Sequence, residues 1–140
     1  MKSELVDSFV TLLLRLPVGI VFLFAGINKA RDLTKFSEGI RQQFRETFLG
    51  GPLLEGFIFV LPWAEILVGA CVLIGLLTRP ALVAAGLLVA VLILGLAVVG
   101  NYPSVAQNTV YMFIIAFALR TAEHNQFAVD HLLQRRLGNG

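Results

Sequence analysis

Four long apolar stretches, each almost free of charge, dictate most of what this chain can become. They fall at about 9–28, 56–77, 80–100 and 104–120. Arg15 is the only charge in the first and Glu65 the only one in the second; the third has none. The fourth is shorter and starts polar. About 20 mostly apolar residues suffice to cross a bilayer core. Lipid offers a backbone no hydrogen-bond partners, so such segments must be helical. Hydrophobic residues are 57% of the chain and charged ones 14%, too much apolar surface for a small soluble body to hide. The expected fold is all-α: a four-transmembrane-helix bundle in one membrane domain, 1–140. Lys2 ahead of an apolar run resembles a secretion signal, but 9–28 is too long for a signal core and no small-residue cleavage site follows. It reads as a retained first span.

The connections carry the remaining polarity. Thr78 and Pro80 suit a tight turn in which Thr78 caps the third helix, and Asn101-Tyr102-Pro103 forms another. Between spans one and two, Leu33, Phe36, Ile40, Phe44 and Phe48 recur every three or four residues among charges. This predicts an amphipathic interfacial helix over 33–49, ended by Gly50-Gly51-Pro52. A polar tail, 121–140, holds a second short amphipathic piece at about 127–137. Charge does not decide orientation. Lys2, Arg79, Arg120, Arg135 and Arg136 on the terminal face balance Lys29, Arg31, Lys35, Arg41 and Arg45 on the other. A long connection can translocate despite its charges, which favours both termini in the cytoplasm.

Ionisable residues inside a span are functional candidates. Arg15 and Glu65 do not suit one another. Arg15 lies roughly 9 Å from the terminal face and Glu65 roughly 18 Å, and on antiparallel helices their side chains lean apart. Arg15 is expected to snorkel to the terminal face. Lys29, at the far end of the first span, leans back towards Glu65. Asn28, Gln107, Asn108 and Tyr111 fall at similar depth, with Trp63 nearby at the interface. These residues predict a polar pocket beneath the amphipathic helix, whose role is either to orient helices or to serve a ligand or proton. Gly19, Gly26, Gly69, Gly75, Gly86 and Gly95 are expected close-packing positions.

Several chemistries lack their residues. Cys71 is alone and reads as a small core residue. His124 and His131 lie in the tail, so no haem or other metal site is expected on this chain alone. No phosphate loop, triad or zinc motif occurs, and no basic stripe suggests nucleic acid.

The segments RLPVGIVFLFAGINKARD and LPWAEILVGACVLIGLLTRPA carry Arg15, Gly19, Gly26 and Lys29, then Pro62, Glu65, Gly69, Thr78 and Arg79. With the tail NQFAVDHLL, which carries Asn125, Phe127 and Asp130, they resemble the DoxX family of small four-helix membrane proteins. The resemblance implies a bacterial or archaeal cytoplasmic membrane. It also implies association with redox systems: some members are subunits of a quinone-linked oxidoreductase, and one branch helps mature an amine dehydrogenase. The expected function is a non-catalytic accessory subunit of a respiratory or redox complex. Its partners are other membrane subunits or further copies of itself, and its polar pocket faces quinone. A structural or assembly factor and a small homo-oligomeric transporter or lipophile-binding protein are the alternatives.

Overall fold

A computed structural model describes residues 2–122 and Arg136. Five helices follow one another: α1 (Lys2–Arg31), α2 (Leu33–Phe44), α3 (Pro52–Ile74), α4 (Thr78–Val98) and α5 (Tyr102–Thr121). No strand occurs among the described residues. The tail piece at 127–137, apart from Arg136, and both histidines lie outside the described residues.

Helices α1, α3 and α4 are long and apolar enough to cross a membrane. Three of the four expected spans meet this criterion; α5 does not. The first half of α5 holds Ser104, Gln107, Asn108 and Thr109, and these dilute its apolar second half. The four long helices nonetheless close a ring: α1 packs on α3 and α5, and α4 packs on α5 and α3.

The surface identifies the solvent. Phe9, Leu13, Phe24, Leu67, Leu87 and Phe117 are all more than half exposed, whereas Ser8, Thr11, Arg15, Glu65 and Thr78 are buried. Water would not tolerate apolar patches of this extent. Lipid does, and the polar interior then satisfies itself locally: Ser8 donates to the Glu4 carbonyl and Thr11 to the Asp7 carbonyl, at 2.8 and 2.9 Å. The apolar core lies between, around Val18, Phe22, Val72, Leu82, Val89 and Ile115. Cys71 packs half-buried against it.

The closest helix contact is α1 with α3. A Cβ added to Gly19 would stand 2.9 Å from the Leu73 Cα, and one on Gly26 would stand 2.6 Å from the Pro62 carbonyl oxygen. One on Gly69 would run into the Leu23 backbone nitrogen. Gly95 meets the Phe44 ring and Gly86 has room. Gly75, itself buried, has a second role. It takes φ 73° to end α3, where its amide and that of Leu76 both donate to the Cys71 carbonyl.

Other boundaries differ from the expected ones for local reasons. Thr78 does not cap α4; Leu77 holds that position at φ 49°, and Thr78 is buried inside the first turn. Helix α1 extends from Lys2 to Arg31 because nothing in those turns opposes it and Glu4 suits the first one. Asp32 then caps α2 by accepting from the Lys35 amide at 3.1 Å. Helix α2 stops at Phe44 rather than 49, because the amide and hydroxyl of Thr47 both turn to the Phe44 carbonyl. Its apolar face, Phe36, Ile40 and Phe44, packs on Leu54, Ile58 and Val99. Helix α2 therefore covers the end of the ring where α1 and α4 finish and α3 begins.

Candidate functional site

The inward face of α1 reads Ser8, Thr11, Arg15, Val18, Phe22 and Gly26, in steps of three and four. Lys29 continues this stripe. On α3 the buried positions are Leu54, Ile58, Leu61, Pro62, Glu65, Gly69 and Val72. Two helical periodicities thus aim one cation and one carboxylate at each other, beside the glycines that bring the backbones together. The Lys29 Nζ donates to both carboxylate oxygens of Glu65, at 2.8 and 2.6 Å. Glu65 is nearly sealed, its side chain 4% exposed, whereas Lys29 is 25% exposed. The ammonium also lies 5.8 Å from the centre of the Phe36 ring on α2, within cation–π range.

The antiparallel register explains why Glu65 meets Lys29 and not Arg15. Gly26 lies against Pro62 and Ile66, and Gly19 against Leu73. Arg15 therefore falls level with the end of α3, about 16 Å from Glu65 along the axis. Arg15 is 2% exposed and points inward, a correction to the expected snorkelling, because it sits on the buried stripe of α1. Arg79 is exposed at the second position of α4, at the same end.

The wider pocket expected from the sequence does not assemble around the pair. Trp63 is 54% exposed and faces outward, and Asn28 and Gln107 are exposed. Asn108 donates to the Ser104 carbonyl of its own helix at 2.8 Å. Tyr111 packs half-buried against the apolar core. None of these makes a hydrogen bond to Glu65 among the described residues. Helices α3 and α5 sit across the ring from each other, and Lys29 already occupies both carboxylate oxygens.

A second ion pair, not anticipated from the sequence, joins α2 to the start of α3. Arg41 donates through Nε and Nη2 to the two oxygens of Glu55, each at 2.7 Å. Both side chains are about half exposed, at 51%. Hydrogen bonding to the carboxylate, and then its charge, raises Arg41 above its ordinary pKa. The signal was there to read: Arg41 and Glu55 flank the Gly50-Gly51-Pro52 turn, where the chain doubles back. An open groove of about 210 Å³ runs beside this bridge, lined by Leu33, Thr34, Ser37, Ile58 and Phe59 with the two charged residues. No group of acidic, histidine or cysteine side chains suited to a metal occurs among the described residues.

Comparison with known proteins is sparse. No curated protein and no solved structure matches the chain. One family model, described as methylamine utilisation protein MauE, matches residues 7–107. This overturns the resemblance to the DoxX family. The residues that carried it in the two helical segments (inward glycines, a buried arginine, and a lysine and glutamate on facing stripes) all lie within the span that matches MauE. The tail segment with Asn125, Phe127 and Asp130 lies outside both the matched span and the described residues. The matched span runs from the first turns of α1 into α5, includes Arg15, Lys29 and Glu65, and covers well over half of the sequence: the chain belongs to the MauE family.

Proposed function

We propose that this chain is a membrane accessory subunit of the redox system through which methylamine is used, and not an independent enzyme. The family match carries this reading. The apolar outer surface and the buried Lys29–Glu65 pair support its membrane part, because they describe a body built to sit in lipid. In this reading all four long helices cross a bacterial cytoplasmic membrane. The outward Val110, Phe113 and Phe117 of α5 meet lipid, α2 lies at the opposite interface, and both termini are cytoplasmic.

A quinone headgroup is the ligand we assign to the pair. Lys29 is a quarter exposed and has a third N–H beyond the two that Glu65 takes, so it can donate to a carbonyl oxygen. Glu65 can hold or pass a proton beside it. Quinone would supply the electron-accepting chemistry; the chain would orient it. The second reading is an assembly factor without a ligand, favoured by how completely Lys29 satisfies Glu65. The third, a lipophile carrier, would need a homo-oligomer, since one such chain is small for alternating access.

Mass spectrometry of what copurifies with the tagged protein in mild detergent tests the leading reading. A stoichiometric oxidoreductase or cytochrome is expected, and a pure homo-oligomer would overturn it. Within the complex, Glu65→Gln separates the first two readings. It should lower quinone-dependent turnover about a hundredfold or more if the pair serves the quinone, following the usual weight of an acid–base group. Unchanged turnover with normal assembly leaves the assembly factor.

A further inference from the structure

Helix α2 stands apart from the ring it covers. It is bounded on one side by Asp32, whose φ of −133° and ψ of 67° break the path of α1, and on the other by the Gly50-Gly51 turn, with Gly51 at φ 83°. Its contacts with the ring fall in two sets. One is apolar, with Phe44 against Leu54, Ile58 and Gly95. The other is the Arg41–Glu55 bridge, the sole side-chain hydrogen-bonded tie from α2 to α3 among the described residues. The open groove runs from this bridge along the first turns of α2, and Ile58 in its lining is 4% exposed. Phe36 of the same helix places its ring 5.8 Å from the Lys29 ammonium.

From this arrangement we infer that α2 is a lid over the Lys29–Glu65 pair, swinging about Asp32 and Gly50-Gly51, with Arg41–Glu55 as its latch and the groove as the seam along which it opens. Helix α2 carries both Phe36, whose ring lies 5.8 Å from the Lys29 ammonium, and the latch residue Arg41, so opening the latch frees the helix that holds that ring near the cation. An exposed ion pair makes a labile latch, because solvent and salt screen it. The inference takes from the reading above only that Lys29–Glu65 is the site.

Thiol labelling tests it without reference to any redox partner, so its failure is distinct from failure of that reading. In a Cys71→Ala background, Ile58→Cys places a thiol on the groove floor, and its reaction with a small water-soluble maleimide is timed in detergent and in lipid nanodiscs. Labelling should be slow with the latch intact and about two- to fivefold faster in Arg41→Glu, the range an exposed ion pair can supply. The swap Arg41→Glu with Glu55→Arg should restore the slow rate. Raising salt should speed labelling while Arg41 and Glu55 are native, and slow it in Arg41→Glu, where salt screens the repulsion between two carboxylates. The salt series needs no change at the latch, so it stands even if Arg41→Glu fails to fold. Fast labelling with the latch intact, a native rate in Arg41→Glu, a swap that stays fast, or indifference to salt would each overturn the lid.

Discussion

Lys29 and Glu65 show how strongly one contact depends on its setting. A cation and a carboxylate at 2.6 Å would contribute little on a wet surface, but Glu65 is sealed between α1 and α3. Removing one partner from such a pair leaves the other charge buried alone, a larger cost than the pair's own net stabilisation. Lys29→Ala should therefore destabilise the protein by about 3–5 kcal/mol. Lys29→Met with Glu65→Leu should recover most of that. Thermal unfolding in detergent measures both, and a double variant no more stable than the single would argue that the pair itself orders the helices. The geometry behind the contact was open to reading, because helical side chains lean towards their own N-termini and two antiparallel helices bring such leans together. The neighbours were not. Depth alone assigned Asn108 and Tyr111 to Glu65, and depth does not say which helices are adjacent around a ring.

Among the elements, α1 and α3 have the closest approach, and their backbones meet where Gly19, Gly26 and Gly69 leave room. Small residues let membrane helices gain van der Waals contact that lipid cannot match. Gly69→Ala should cost about 1–3 kcal/mol, since its methyl would meet the backbone of Leu23 and the carbonyl oxygen of Gly19, neither of which can swing aside. Gly39→Ala on α2 meets nothing within 4 Å and should stabilise by about 0.4–1 kcal/mol. Comparing the two in one unfolding assay separates packing from helix propensity; equal effects would refute the packing argument. Gly75 marks the limit of reading glycines from sequence. It occurs in the same kind of apolar run as Gly69, yet it ends α3 in a left-handed turn, a role decided by where the helix must stop. The end of α2 was hidden in the same way, because Thr47 captures the Phe44 carbonyl before the Gly-Gly-Pro signal is reached.

At the scale of the molecule, the apolar exterior and polar interior were legible from hydropathy, and they identify lipid as the solvent. Whether α5 crosses the membrane is a closer matter. Its first turns carry Ser104, Gln107 and Asn108, and its hydropathy falls short of the other long helices, although it packs on both α1 and α4. If it crosses, the two termini share a side. Reporter fusions at each end should then both signal the cytoplasm, and reporters on opposite sides would leave three spans. The family resemblance drawn from the sequence erred at this same scale, because residues that lie within the MauE match were taken as the mark of another lineage.

The Lys29–Glu65 pair also bears on how the protein is made. Glu65 follows Lys29 by 36 residues. At roughly 5–20 residues per second, α1 waits about 2–7 seconds for its counter-ion to emerge. During that interval the newly inserted helix holds its lysine near the headgroups, without the glutamate that later draws it inward. Insertion of α3 is then the step that lets α1 settle to its final depth, so the order of synthesis is also the order in which the membrane is asked to accept charge.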